Sequence, residues 1–185
     1  MSILPALILI ILGTTAFGEN LSDNEFFEIK HQAQRYYANE DCLWNNEGAF
    51  EKTGNQMYRL DQNILVRLSC VSGNYNESSV WLNGLDIQNL NPIYFSIPSL
   101  VIDYKGSDKE EINDIKVKGF YSVSSLYNAS FDKESLSISN QFLGRAKGDT
   151  SSGGVWNYEG NAFVLKYYDI DVTSNGIIDP WIVYQ

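Results

Sequence analysis

The sequence predicts a mainly β (α+β) fold, in which one N-terminal helix precedes an antiparallel β-sheet domain. From Met57 onward, short runs of β-branched, leucine and aromatic residues alternate with clusters of Gly, Asn, Asp and Ser, which is the pattern of strands separated by turns. Tyrosine occurs 12 times, a frequency that suits half-buried sheet faces. The helix is predicted from residues 22–42, where apolar side chains recur at helical spacing.

The first segment is predicted to be an export signal rather than part of the fold. Its first 17 residues carry no charged side chain, and residues 3–12 form an apolar run that is shorter than the roughly 20 residues needed to span a bilayer. Ala16, Phe17 and Gly18 fit a small-x-small cleavage site. We therefore expect a signal peptide at residues 1–18 and a single β-rich domain at 19–185, located in the periplasm or secreted. An uncleaved N-terminal anchor is the alternative.

The helix that follows begins at a capping box, because Glu25 stands three places after Ser22. His31 falls on the polar side of the helix, where a solvated side chain is expected. The apolar stripe consists of Phe26, Ile29, Ala33 and Tyr36 or Tyr37.

Strands are predicted along the rest of the chain, with residues 105–114 as the most polar connection and a mobile loop. Residues 57–70 give two strands around the turn at Asp61, Gln62 and Asn63. A hairpin is expected within residues 153–170, because apolar arms flank Gly160 and Asn161. Further strands are expected within residues 78–85, 99–106, 113–131, 134–149 and 179–185.

Composition limits the class of partner and the compartment. The formal net charge is −10, so phosphate backbones repel the protein and nucleic-acid binding is excluded. The two cysteines, Cys42 and Cys70, are expected to form a disulfide in an exported protein. A catalytic thiol is the alternative, and it would have to use His31, the single histidine.

Few reaction types fit the inventory of side chains, and we predict no catalytic residue, no cofactor and no metal site. No Gly-x-Ser-x-Gly or phosphate-binding motif occurs, and one histidine cannot complete a zinc site. Residues 171–179, "DVTSNGIID", resemble half of a calcium loop, but the twelfth position is Ile182 where a bidentate Glu is needed. Paired carboxylates for glycoside hydrolysis stay open, because 23 acidic residues always offer pairs.

Two groups of residues are candidates for binding. The tryptophans Trp44, Trp81, Trp156 and Trp181 could line a groove, but Trp81 and Trp181 lie within apolar runs, so core packing is favoured. The polar, glycine-rich loop at residues 144–154 carries Arg145, Lys147 and Asp149 between two strands. Loops on a rigid scaffold often bind partners, so these three residues are the candidate partner-binding loop. A long polar turn is the alternative.

Five segments occur in order along the chain, namely Asp41-Cys42, "RLDQNILVRLSCVSGNYNESSVWL", "NASFDKESLSI", "GRAKGDTSSGGVWNYEGNAFVL" and "GIIDPWIVY". Together they resemble a bacterial exported family known as domain of unknown function 1176. The family's Gly-Asp-Cys motif reads "GDT" here, and a second family cysteine before the last strand is also threonine. The resemblance therefore implies that Thr150 and Thr173 replace a disulfide and lie close together, with residues 171–179 held beside the last strand by packing alone. It implies no activity.

The expected function is a non-enzymatic, inhibitor-like binding module of the cell envelope, with a protein or an envelope glycan as partner. The alternatives are a polysaccharide hydrolase that uses two carboxylates and a purely structural envelope protein.

Overall fold

The computed structural model describes residues 21–37, 55–73, 75–144, 150–173 and 175–185, with the side chains of 71 and 72 excepted. The described chain is mainly β, as predicted, with antiparallel sheets and a single helix. The elements are α1 Asp23–Tyr36, β1 Gln56–Arg59, β2 Ile64–Ser72, β3 Glu77–Gly84, β4 Leu90–Pro92, β5 Phe95–Tyr104, β6 Ile112–Val123, β7 Ser125–Tyr127, β8 Ser130–Asp132, β9 Ser137–Gly144, β10 Thr150–Glu159, β11 Ala162–Asp171 and β12 Trp181–Tyr184.

Helix α1 begins at the predicted capping box. Glu25 donates its backbone N–H to the Ser22 hydroxyl, and its carboxylate accepts the Ser22 backbone N–H at 3.0 Å. Ile29 and Ala33 are fully buried against the first sheet. The helix is fixed at its C-terminal end by Tyr37, whose hydroxyl donates to the carbonyl of Trp81 at 2.8 Å.

The first sheet forms the middle layer of the molecule. Its strands run antiparallel in the order β1-β2-β3-β4. Strand β7 also pairs with β3, at residues 78–80, whereas β4 pairs with residues 82–84. Alternate residues of β2 face opposite ways, so that Val66 and Leu68 meet α1 while Leu65 meets the second sheet. Burial of both faces explains why apolar residues stand next to one another at Ile64–Val66 in β2 and at Val80–Leu82 in β3 instead of alternating.

The second sheet has the order β12-β11-β10-β9-β8. Strands β10 and β11 form the predicted hairpin, and Gly160 takes the positive φ of +72° that its turn requires. The long β5–β6 hairpin packs on this sheet, with the rings of Phe95 and Trp156 5.3 Å apart. The Trp156 indole N–H donates to the carbonyl of Ser96 at 3.0 Å.

The prediction that the tryptophans are core residues is right for two of them and wrong for a third. Trp81 and Trp156 are fully buried between the two sheets, whereas Trp181 is 43% exposed. Trp181 begins β12, a four-residue strand at the outer edge of the second sheet. An edge strand has a sheet neighbour on one side only, so an apolar sequence there does not guarantee burial. Trp44 lies outside the described residues.

Several predictions fall on parts of the chain that the structure does not describe. These are the signal peptide at 1–18, Cys42 and the loop residues Arg145, Lys147 and Asp149. Cys70 is buried in β2, beneath α1, and its pairing with Cys42 stays a prediction. Among the described residues, no helix has the length and apolar character needed to cross a membrane.

Candidate ligand-binding cleft

A cavity of about 340 Å³ lies between the tip of the β5–β6 hairpin and the loop that joins β11 to β12. We call it the Trp181 cleft, and it has the size of a small-ligand site. Its principal lining residues are Lys105, Glu110 and Glu111 on the hairpin side and Thr173, Asp179 and Trp181 on the loop side.

The hairpin wall is closed by its own hydrogen bonds. Lys105 donates its backbone N–H to the carbonyl of Glu111 at 3.0 Å, and its ammonium group lies 2.9 Å from the Glu111 carboxylate. The Tyr104 hydroxyl donates to the carbonyl of Val172 at 3.4 Å, which joins this wall to the opposite one. Residues 105–114, predicted from polarity to be a mobile loop, thus form the turn between β5 and β6 and the first residues of β6, and they make one side of the cleft.

The opposite wall is organised by Asp171, a carboxylate that is only 1% exposed. One of its oxygens accepts the backbone N–H and the hydroxyl of Thr173 at 3.0 and 2.8 Å. The other accepts the backbone N–H of Asp179 at 2.8 Å. The loop is therefore folded around a buried charge, and the expectation that packing alone holds it is wrong.

The same geometry distinguishes a calcium loop from a plain turn at residues 171–179. Asp171 would be the first ligand of a calcium loop, but both its oxygens face N–H and O–H donors of its own loop. Asn175 accepts the N–H of Ile177 at 2.8 Å, and Gly176 has a φ of +83°. These are features of a turn. In the described part of the chain no group of three or more His, Cys, Asp or Glu side chains could hold a metal ion.

The floor and rim of the Trp181 cleft combine an aromatic ring with polar groups. Trp181, which is 43% exposed, lines the cleft together with Asp179, Asn175 and the buried Thr173. Glu111 is paired with Lys105, whereas no cationic partner of Glu110 or Asp179 occurs among the described ion pairs. The cleft thus offers an apolar face, hydrogen-bonding groups and an excess of negative charge.

The predicted partner-binding loop at residues 144–154 is shorter than expected, because Gly144 ends β9 and residues 150–154 belong to β10. Residues 145–149 lie outside the described residues, but the base of the loop is visible. The Asn76 side chain accepts the N–H of Leu143 at 2.9 Å and donates to its carbonyl at 2.7 Å. Asn128, at a φ of +46°, donates to the Asn76 amide oxygen at 3.1 Å and to the carbonyl of Gln141 at 2.9 Å. These bonds tie the end of β9 to the first sheet. The binding role of Arg145, Lys147 and Asp149 stays a prediction.

Thr150 and Thr173, which the resemblance implies to be close together, lie at one end of the β10–β11 ladder. The last pair of that ladder is Ser151 with Asp171, so Thr150 lies one position beyond it, next to the start of the β11–β12 loop that contains Thr173. The register agrees with the closeness that the resemblance implies. The three hydrogen bonds that Asp171 accepts, which we call the Asp171 clasp, lie at this same end of the ladder.

Cys70 and His31, which a catalytic thiol would need together, are not brought together. His31 is exposed on α1, while Cys70 is buried in the core below that helix. Hydrogen bonds from neighbouring groups hold the carboxyl pKa values of Glu25, Asp114 and Asp132 below their usual range. The donors are serine hydroxyls and backbone N–H groups for Glu25 and Asp132, and a lysine ammonium group for Asp114. A general acid needs the opposite shift.

The comparisons with known proteins give one match. A family model described as "Protein of unknown function (DUF1176)" matches residues 7–184. No curated protein and no solved structure matches the chain.

Proposed function

The chain belongs to the DUF1176 family of proteins of unknown function, and from this premise we propose that it is an exported, non-enzymatic module that binds an envelope glycan in the Trp181 cleft. The observation that carries the proposal is the exposure of Trp181 at a cavity that is otherwise lined mainly by polar residues. Large exposed aromatic rings beside hydrogen-bonding groups are typical of binding sites rather than of plain surface.

A glycan is the partner that fits this combination of groups. A sugar ring has an apolar face that can lie on the indole ring, and hydroxyl groups at its edge that need donors and acceptors. Asn175 supplies both, and Asp179 supplies acceptors. Because the indole ring is large and rigid, it gives contact area at a low cost in conformational entropy.

The cleft also has the rigidity that binding requires. The Asp171 clasp fixes the loop before any ligand arrives, and the Tyr104 hydroxyl links the two walls. Preformed sites lose less entropy on binding, which raises affinity without additional contacts.

Export and a disulfide belong to the same proposal. The apolar N-terminal run and the small residues before Gly18 support secretion. An oxidising compartment would allow Cys42 to pair with Cys70, which is buried beneath α1. The bridge would attach the segment that follows the helix to the middle sheet.

Co-sedimentation with insoluble cell-wall polysaccharide tests the function. We expect the mature chain to sediment with the polymer and the Trp181→Ala variant to remain mostly in solution. Phe27→Ala is the matched control, because Phe27 is also an exposed aromatic residue, at 72%, but lies on α1. Equal sedimentation of the three proteins, or none by any, would contradict glycan binding in this cleft.

A polysaccharide hydrolase is the second candidate, because Glu110 and Asp179 lie on opposite walls of the cleft. Two carboxylates across a sugar-binding site are the minimum for glycoside hydrolysis. Release of new reducing ends from the same polymer, abolished by Glu110→Gln or Asp179→Asn, would favour this candidate. Binding without release favours the module.

A further inference from the structure

This inference rests on the proposed function and concerns the chemical class of its ligand. We propose that the glycan in the Trp181 cleft carries ammonium groups, as a sugar with a free amine does. The charges of the cleft, the position of the indole ring and the charge of the whole chain support this ligand class independently.

The charges around the cleft select for a cation. Three acidic residues, Glu110, Glu111 and Asp179, and one basic residue, Lys105, line the cleft. Lys105 is paired with Glu111 at 2.9 Å, which leaves the Glu110 and Asp179 carboxylates on opposite walls without a cation among the described residues. A ligand ammonium between them would gain from both charges.

Trp181 adds a second source of attraction for the same group. A cation within about 6 Å of an indole ring is drawn to the face of the ring, and tryptophan is the aromatic residue that gives the strongest effect. Because Trp181 lies beside Asp179, one amino sugar can place its ring on the indole and its amine toward the carboxylate.

The charge of the whole chain acts in the same direction. At a net charge of −10, the protein attracts polycations over distances of about a Debye length and repels uronic-acid and phosphate-bearing polymers. Neutral N-acetylated sugars gain nothing from either effect. The three ligand classes should therefore bind in the order cationic, neutral, anionic.

Calorimetric titration of the mature chain with three ligands tests the proposal. The ligands are a short glucosamine oligosaccharide, its fully N-acetylated form and an oligouronate, each titrated at a pH that keeps the amines protonated. We expect the free-amine form to bind about tenfold or more tightly than the acetylated form, and its affinity to fall as salt rises. Asp179→Asn and Glu110→Gln should each weaken it about three- to tenfold. The Asp179 side chain takes no part in the Asp171 clasp, which uses its backbone N–H, so this variant should fold.

The control variant is Glu134→Gln, which removes one charge in the β8–β9 turn, at the opposite edge of the second sheet from β12. An equal loss of affinity in Glu134→Gln would mean that only net charge matters, and the ligand class would be wrong. If the acetylated form binds as tightly, and Trp181→Ala removes that binding, the glycan module stands and the ammonium requirement falls. If no sugar binds, or Trp181→Ala changes nothing, both proposals fail.

Discussion

Replacement of Asp171 by asparagine is the sharpest test of how the Trp181 cleft is built. Asparagine has nearly the shape of aspartate, so the change removes a charge and turns one accepting oxygen into a donating NH2 group. If the amide oxygen takes the place of the oxygen that faces Thr173, both Thr173 bonds survive. The NH2 group then meets the backbone N–H of Asp179, a donor that lies 2.8 Å from the lost oxygen.

The magnitude follows from these three bonds. A hydrogen bond to a charged acceptor contributes about 1.5–3 kcal/mol and one to a neutral acceptor about 0.5–1.5 kcal/mol. The Asp179 bond is lost outright and the two Thr173 bonds become neutral ones, while removal of a buried charge returns part of the loss. We expect the free energy of unfolding to fall by about 2–4 kcal/mol, which corresponds to a drop in Tm of roughly 5–15 °C for a chain of this size.

Urea and thermal unfolding of the mature chain, followed by circular dichroism, measure this loss. The matched control is Asp169→Asn, two residues earlier on β11, where a half-buried carboxylate accepts the Tyr167 hydroxyl at 2.8 Å. We expect the control to lose less than about 1 kcal/mol. If the two variants lose the same amount, the clasp does not hold the wall and the argument for a preformed cleft is refuted.

Three further predictions concern the scaffold. Asn128→Ala removes the Asn128 hydrogen bonds and places alanine at a φ of +46°, so the free energy of unfolding in urea should fall by about 2–3 kcal/mol. Asn128→Gly should lose about 1 kcal/mol less, because glycine tolerates positive φ. Equal losses in the two variants would contradict this explanation. Burial raises the pKa of the Tyr58 and Tyr168 hydroxyls above their usual value of 10.0. The unfolded chain therefore loses these protons at a lower pH than the folded chain, and stability should fall as pH rises above about 10. In a pH series of Tm values, Tyr168→Phe should show a smaller fall than the unchanged protein. Protein isolated from the periplasm should show no free thiols before reduction. Reduction of Cys42 and Cys70 should lower the free energy of unfolding by about 2–4 kcal/mol. Two free thiols in the unreduced protein would mean that no bridge forms.

The parts of the fold that could be predicted are those in which neighbours in sequence decide the structure. The Ser22–Glu25 capping box predicts where α1 begins, because both partners lie within one turn. The turn at Gly160 predicts the β10–β11 hairpin for the same reason. Strand β4 was not predicted, because Leu90–Pro92 is three residues long and contains a proline, which is unusual inside a sheet.

The cleft could not be predicted, because each of its parts depends on contacts that are remote in sequence. The run of Trp181 and Ile182 is apolar, and nothing in it distinguishes a core strand from a sheet edge. Asp171 looks like a turn residue or a metal ligand, since the burial of its carboxylate depends on the loop folding back to Asp179. The facing of Glu110 and Asp179 depends on how the β5–β6 hairpin packs, which periodicity does not reveal.

The position of the first sheet between α1 and the second sheet has a consequence for how the family can diversify. Substitutions in β2 and β3 disturb a packed surface on whichever side they fall, so these strands tolerate little change. The cleft walls are instead a hairpin tip and a connecting loop, the places where chains accept insertions and new side chains most readily. Under the proposed glycan function, alteration of these two segments would change the preferred ligand while the layers beneath them keep the same backbone.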